Sequence, residues 1–291
     1  MASDAPIGVF DSGLGGLTVL REIIALLPEE GTVYLGDTAR VPYGIRSPEV
    51  VTRYSLENMR FLLSRGIKLL VIACNTASAI SLSALKRESP VPVVGVIEPG
   101  ARAALRASKT GRIGVIGTET TIKSGAYRGV LERLEPGVRV FSRACPLFVP
   151  LAEEGWADNE VARLAAGRYL ADLKDKDIDT LLLGCTHYPL LKRTIAKVMG
   201  EGVTLIDSAC ETAREIKMML AENGISRPPG ASPLKRQFFV TDSPERFITL
   251  GGRFFLEGPD SSPDGPAPEG LSPIREVKLT EVWNEAGWQK E

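Results

Sequence analysis

The chain has 291 residues, of which 44% are hydrophobic and 24% charged, with a net charge of −1 and a pI near 6.1. This length allows one large domain or two smaller ones, and the balanced charge argues against nucleic acid or an acidic membrane surface as a partner. No apolar run approaches the ~20 residues of a membrane helix. The N-terminus lacks a signal-peptide pattern, so we expect a cytoplasmic protein.

The first half alternates predicted strands and helices. Strands are predicted at residues 7–11, 32–36, 67–73 and 91–97, and helices from about 17, 48 and 75 onward. Continuous apolar runs such as residues 69–72 are typical of strands that are covered on both faces of a parallel sheet. We expect Glu98, Pro99 and Gly100 to close the fourth strand, and we place a domain hinge there.

The second half repeats this arrangement. Strands are predicted at residues 112–118, 138–143, 178–184 and 203–206, with helices ending near 134, 173 and 199 and a loop at 145–151. The strands that begin at residues 7 and 113 resemble each other, and so do those that precede Cys74 and Cys185. Because nearly the same number of residues separates the members of each pair, the sequence indicates an internal duplication.

This alternation predicts an α/β fold of two similar, mostly parallel-sheet domains related by a pseudo-twofold duplication, with the active site between them. The expected domains are residues 1–98, completed by about 208–255, and residues 99–207. Within the completing segment we predict a helix from 211 to about 223 that packs on the first domain, a strand at 237–240 and a helix at 244–255. Residues 256–291 are predicted to be a flexible extension, with a linker at 258–273 and an exposed strand at 274–283.

Two of the four cysteines stand out by their surroundings. With no C-x-x-C pair and one histidine in the chain, a zinc site is not expected. A free cysteine is commonly a small apolar core residue, which suits Cys145 and Cys210. Polar residues directly follow Cys74 and Cys185, at the strand ends where open α/β sheets place their ligands.

Two thiols that face one carbon atom could invert its configuration. A thiol with a pKa of ~8.5 is a useful acid or base near neutral pH. One thiolate would take a proton from the carbon while the other thiol returns one to the opposite face, with no redox step. Two alternatives remain open. A cysteine could act as a nucleophile with His187 as its base, but the second thiol would then have no role. Ser12, His187 and an aspartate could form a catalytic triad, but the nucleophile-elbow pattern is absent.

The polar neighbours of the thiols also allow two interpretations. In the first, Asp11, His187 and Glu153 relay protons to the thiols. In the second they have structural roles only: Asp11 caps a turn, His187 is a structural histidine, and Glu153 or Glu154 is simply exposed to solvent. The glycine-rich turn at residues 12–16 has neither G-x-G-x-x-G nor a Walker lysine. It either binds a small carboxylate at a helix N-terminus or is a plain connection between strand and helix.

Four motifs resemble those of the glutamate racemases, within the aspartate/glutamate racemase superfamily. They are FDSGLGGLTV at residues 10–19, GDTARVPYG at 36–44, ACNTAS at 73–78 and GCTHYP at 184–189. The resemblance runs from about residue 6 to 223, and the chain departs from the common pattern beyond about residue 227. It implies a cofactor-independent two-base racemase that interconverts L- and D-glutamate and supplies D-glutamate for peptidoglycan.

The resemblance also implies roles for single residues. Cys74 would take the α-proton from D-glutamate and Cys185 from L-glutamate, with Asp11, His187 and Glu153 assisting. The implied substrate-binding residues are Asp11, Ser12, Asp37, Pro42, Tyr43, Gly44, Asn75, Thr76, Thr118, Thr121, Thr186 and His187. No metal or cofactor is implied, and the partners are the substrate and a second copy in a homodimer.

Three other functions fit the same residues. The fold could act on aspartate, a hydantoin or maleate instead of glutamate. A racemase scaffold could bind acidic amino acids without catalysis. A pyridoxal-dependent enzyme would carry out the same reaction by different chemistry.

Overall fold

The computed structural model describes residues 3–228, 235–256 and 274–282, which form two all-parallel sheets flanked by helices. The strands are β1 (Ile7–Asp11), β2 (Thr32–Gly36), β3 (Leu69–Ile72), β4 (Val93–Gly95), β5 (Arg112–Gly117), β6 (Arg139–Ala144), β7 (Thr180–Gly184), β8 (Thr204–Asp207), β9 (Arg236–Val240) and β10 (Lys278–Leu279). The helices are α1 (Leu17–Leu26), α2 (Pro48–Ser64), α3 (Asn75–Glu88), α4 (Ile97–Ala107), α5 (Glu119–Lys123), α6 (Ala126–Leu134), α7 (Phe148–Glu153), α8 (Glu160–Lys174), α9 (Lys192–Met199), α10 (Ala209–Glu222) and α11 (Pro244–Phe255).

The strand order confirms the predicted duplication. The first sheet has the order β10-β9-β2-β1-β3-β4, and the second has the order β6-β5-β7-β8. Strands β2-β1-β3-β4 therefore correspond one by one to β6-β5-β7-β8. Cys74 follows β3 and Cys185 follows β7, so the two thiols occupy equivalent strand ends. Parallel strands place their carboxyl ends at one edge, where ligands bind in open α/β sheets.

The central strands are buried because helices cover both faces of each sheet. All residues of β1, β3 and β7 are buried, as their continuous apolar sequences predict. The C-terminal segment extends the first sheet, since β9 pairs with β2 from Thr32 to Gly36. Helix α10 packs on α1, as expected for the helix at 211–223.

Three local predictions are wrong. Glu98, Pro99 and Gly100 lie inside α4 instead of closing a strand, because proline is tolerated in the first turn of a helix. The predicted loop at 145–151 contains the start of α7, which also carries a proline in its first turn. The helix expected to run to 134 is interrupted at Gly125, whose φ of 68° is left-handed.

The predicted C-terminal strand and helix are present as β9 and α11. The linker at 258–273 lies outside the described residues, as does most of the extension. Of the strand expected at 274–283, only Lys278–Leu279 is extended and paired, and residue 283 is not described. Among the described residues, no helix is both long enough and apolar enough to cross a membrane.

Candidate active site between the two sheets

A small cavity of about 40 Å³ lies where the two sets of strand ends face each other. Both halves contribute to its wall, and both Cys74 and Cys185 line it. The lining residues are Ser12, Gly13, Val41, Pro42, Tyr43, Gly44, Cys74, Asn75, Thr76, Thr118, Val149, Glu153, Cys185, Thr186 and His187.

Cys74 lies at the N-terminus of α3, where its thiol caps the helix. The backbone amide of Ala77 donates to its Sγ at 3.5 Å, and the thiol donates to Ser12 Oγ at 3.6 Å. Burial and the neighbouring charge of Asp11 raise the pKa of the thiol from 9.0 to about 12, against the opposing effect of the helix amide. Cys74 is therefore a neutral thiol at neutral pH, and it is ready to donate a proton.

Asp11 ends β1 behind Ser12 and is fully buried. The backbone amide of Gly13 donates to Oδ2 at 2.8 Å, while Oδ1 has no hydrogen-bond partner among the described residues. Burial raises the pKa of this carboxyl group, and His187 and the turn amides counteract part of the rise. This carboxyl group lies behind Ser12 and Gly13 of the cavity wall, and its negative charge acts on the Cys74 thiol.

Cys185 lies beside a histidine and a glutamate. His187 Nδ1 is 3.9 Å from Cys185 Sγ, and His187 Nε2 is 3.0 Å from Glu153 Oε1. Burial alone would lower the pKa of His187, but Cys185 and Glu153 outweigh it and raise the pKa to about 10. Burial would likewise raise the pKa of Glu153, yet His187 and Arg246 hold it below its usual value. His187 is thus an imidazolium at neutral pH and places a positive charge beside the Cys185 sulfur.

Hydroxyl and amide groups line the wall between the thiols. Thr76 from the first half lies 2.9 Å from Thr118 and 3.0 Å from Thr121 of the second half, oxygen to oxygen. Asn75 accepts a hydrogen bond from the hydroxyl of Tyr127 at 2.6 Å. Its Nδ2 lacks a partner within the described part of the chain, so this amide is available to donate to a ligand carboxylate.

Tyr43 and Gly44 bring the loop after β2 to the cavity. The Tyr43 hydroxyl donates to Asp37 and accepts from Asn58, so the ring is fixed from behind. Gly44 lies so close to Thr118 that a Cβ there would be 2.6 Å from the threonine Cβ. The absence of a side chain lets this loop approach the second half.

Comparisons with known proteins identify the family of this chain. A sequence model of the family described as Asp/Glu/Hydantoin racemase matches residues 7–216, which is well over half of the chain. The chain belongs to the Asp/Glu/hydantoin racemase family. Members of this family are racemases, a class of isomerase.

Individual members of the racemase family are very similar to this chain. A glutamate racemase of Geobacter metallireducens is 60% identical over 248 residues, which are 85% of this chain and 92% of the relative. A glutamate racemase of Aquifex aeolicus is 58% identical over 75% of this chain and 84% of its own. Both alignments extend over most of each protein, so the likeness concerns the whole fold and not one motif.

Solved structures of racemase-family proteins have the same architecture. The glutamate racemase of Francisella tularensis in complex with D-glutamate has a TM-score of 0.84 at 33% identity, covering 96% of this chain and 98% of that one. A glutamate racemase isoform from Bacillus anthracis has a TM-score of 0.83 at 46% identity, covering 86% and 93% of the two chains. The fold predicted from the sequence is therefore that of the family.

The structure places most of the predicted site residues in the racemase-family cavity, but not all. Asp11, Asp37 and Thr121 lie behind the lining residues and contact them. The sequence interpretation did not select Gly13, Val41 or Val149 as lining residues, although the first two lie within the recognised motifs. Of the two candidate glutamates, Glu153 lies on the cavity wall and Glu154 is exposed.

A buried network behind Tyr43 was also not predicted. Arg40 donates to Asp37 and pairs with Glu57 on α2, and the Thr241 hydroxyl donates to Asp37 at 3.0 Å. Burial raises the pKa of Asp37, while Arg40 and these hydrogen bonds oppose the rise. Asp37 therefore supports Tyr43 and does not itself line the cavity.

The single histidine of the chain allows a direct test of the pKa of His187. Its imidazole C–H resonances should titrate with a midpoint near pH 10 in a chain without a histidine tag, instead of near 6.5. In a Glu153→Gln variant the midpoint should move down, because the partner charge is lost. A wild-type midpoint near 6.5 would contradict the ion pair.

The raised pKa of His187 also determines the sign of its effect on stability. The folded protein holds this proton more tightly than the unfolded chain. The stabilisation that it contributes is therefore complete below pH 6.5 and is lost as the pH rises through about 10.

Proposed function

We propose that this chain interconverts L- and D-glutamate by two-base proton transfer without a cofactor. The observation that carries the proposal is the presence of Cys74 and Cys185 in one cavity, each at the equivalent strand end of a duplicated half. A substrate carbon between two such thiols can lose a proton to one face and gain one at the other. The relatives named glutamate racemase support glutamate as the substrate.

The charges around the thiols suit this reaction. With L-glutamate, the Cys185 thiolate takes the α-proton, and the electron pair left on the α-carbon then takes a proton from the Cys74 thiol on the opposite face. The His187 imidazolium stabilises the thiolate, and the raised pKa of Cys74 keeps its proton in place until the carbanion forms. The reverse sequence converts D-glutamate, and the substrate ammonium group then offsets the negative charge of Asp11 near Cys74.

Two buried polar groups without partners among the described residues support binding of an acidic amino acid. Asn75 Nδ2 can donate to a carboxylate, and the negative charge of Asp11 behind the wall attracts the ammonium group. Ser12, Thr76, Thr118 and Thr186 supply hydroxyl groups around them. Tyr43 and Gly44 offer backbone amides for the second carboxylate, and Pro42 shapes the loop that carries them. Thr121 orients the hydroxyl groups of Thr76 and Thr118.

Incubation with each glutamate enantiomer in deuterium oxide tests the proposal. Both should converge on an equal mixture of L and D forms, and each newly formed enantiomer should carry one α-deuteron from the solvent. Failure of either enantiomer to exchange would overturn the proposal. A parallel panel of aspartate, a hydantoin and maleate identifies a different substrate, and calorimetric binding without exchange identifies a non-catalytic binder.

The pyridoxal alternative is tested on the same preparation. A cofactor-independent enzyme should show no long-wavelength absorption band and should keep its activity after treatment with hydroxylamine, which removes pyridoxal phosphate. In the cell we propose that the reaction supplies D-glutamate for peptidoglycan in the cytoplasm. We also propose that the chain forms a homodimer, which light scattering of the purified protein would test.

A further inference from the structure

Helix α11 lies beyond the residues matched by the family model, yet it contacts the groups beside Cys185. Arg246 Nη2 donates to Glu153 Oε2 at 3.3 Å, while the other oxygen of that carboxylate is 3.0 Å from His187. Arg253 Nη1 donates to the backbone oxygen of Glu153 at 3.5 Å. The C-terminal helix therefore contacts Glu153 through both its side chain and its main chain.

The same helix supports the imidazole ring of His187. Phe254 is fully buried, and its ring lies 5.1 Å from the His187 ring, centroid to centroid, at an interplanar angle of 77°. Edge-to-face contacts of this kind prefer a defined orientation. His187 is thus held by a hydrogen bond to Glu153 at Nε2 and by the Phe254 ring.

The helix is itself anchored to the first half of the molecule. Phe247 packs on Tyr34 of β2 at 5.8 Å between ring centroids, and Phe255 packs on Phe238 of β9 at 5.9 Å. The His187–Glu153 pair belongs to the second half. Helix α11 therefore connects the first sheet to the groups that assist the thiol of the second.

We infer that α11 is a positioning element for the Cys185 side of the site, with Arg246 and Phe254 as positioning residues for the Glu153–His187 pair. This inference rests on the proposed function, since it assigns His187 the task of stabilising the Cys185 thiolate. The inference predicts an effect on one thiol only. Loss of these contacts should slow proton removal by Cys185 and leave proton removal by Cys74 unchanged.

Racemisation uses both thiols, so variants with one thiol are needed to separate the two sides. With 3-chloroglutamate, a single thiolate takes the α-proton while chloride leaves from the β-carbon. The resulting enamine tautomerises and is hydrolysed by water to 2-oxoglutarate and ammonium. The Cys74→Ser variant measures Cys185 with the L-configured substrate, and the Cys185→Ser variant measures Cys74 with the D-configured one.

The expected results differ between the two backgrounds. With Cys185 as the only thiol, Phe254→Leu should slow elimination about tenfold, as loss of an oriented aromatic contact suggests. Arg246→Gln should slow it about threefold, because exposed ion pairs are weak. With Cys74 as the only thiol, neither substitution should change the rate.

Matched controls exclude a general loss of structure. Phe61→Leu makes the same change in an equally buried phenylalanine of α2, whose ring contacts Phe239 edge to face at 5.2 Å between centroids. Arg163→Gln removes an arginine of similar exposure that pairs with Glu160 on α8. Both controls should keep the parent rates. In Phe254→Leu the titration midpoint of His187 should also move, which a purely structural role would not produce.

Three outcomes would decide against the inference: equal slowing in both backgrounds, no slowing in either, or slowing by Phe61→Leu as large as that by Phe254→Leu. These three outcomes bear on the inference only if the wild-type protein racemises glutamate. If the wild type shows no racemisation and neither one-thiol variant eliminates chloride, the proposed function itself has failed. The two failures are therefore distinguishable.

Discussion

Replacement of Cys185 by serine should abolish racemisation of both glutamate enantiomers, and replacement of Cys74 should do the same. In the proposed mechanism each thiol is the acid or the base in every turnover, and a serine hydroxyl is too weak an acid to replace it. General acid–base groups typically contribute about 10²- to 10⁴-fold to rate, so we expect a loss in that range for each variant. Polarimetry, with chiral chromatography of the products, measures it.

Cys210→Ser is the control for this prediction. Cys210 is on α10, away from the cavity, and its thiol is only partly buried. The control should racemise like the wild type. If Cys74→Ser or Cys185→Ser kept more than about a tenth of the activity, the two-thiol assignment would be wrong.

Replacement of Gly15 by alanine should cause a nearly complete loss of activity in a folded protein. A Cβ at Gly15 would lie 2.2 Å from Thr186 Oγ1 and 2.5 Å from His187 Nδ1, both far below van der Waals contact. The methyl group must therefore displace the imidazole from Cys185. Small displacements of catalytic groups cost about 10²-fold in rate, which sets the expected loss in kcat.

Gly129→Ala provides the matched control. Gly129 is an exposed residue of α6, and a Cβ there would meet no atom within 4 Å. This substitution should keep full activity and raise stability by about 0.5–1 kcal/mol, because alanine favours the helix. Thermal unfolding of both variants shows whether the Gly15 variant is folded. A folded Gly15→Ala protein with wild-type kcat would contradict the contact described here.

The features that could be predicted from sequence are local ones. The strands before Cys74 and Cys185 are short apolar runs that end in polar residues, and a parallel sheet brings such ends together. The repeated pattern around the two cysteines was enough to predict two matching domains. Asn75, Thr76 and Thr186 directly follow the thiols in sequence, so their place at the cavity follows from that of the cysteines.

The features that could not be predicted depend on contacts between distant segments. The support of Tyr43 requires Asn58 from α2 and Thr241 from the end of β9, which no spacing in the sequence connects. The contact of Phe254 with His187 depends on how α11 packs across the two halves. Helix α7 was missed because Pro146 and Pro150 indicate a loop, although Pro150 lies in a first turn, where it costs no hydrogen bond.

The two halves share a strand order but differ in the charges beside their thiols. At Cys74, burial and the negative charge of Asp11 keep the proton on sulfur, whereas Cys185 has the cation of His187 beside it. Since the two enantiomers have equal free energy in solution, kcat/KM must be the same in both directions of the proposed reaction. The different charges in the two halves should then change kcat and KM by the same factor, so that the two enantiomers saturate the protein at different concentrations.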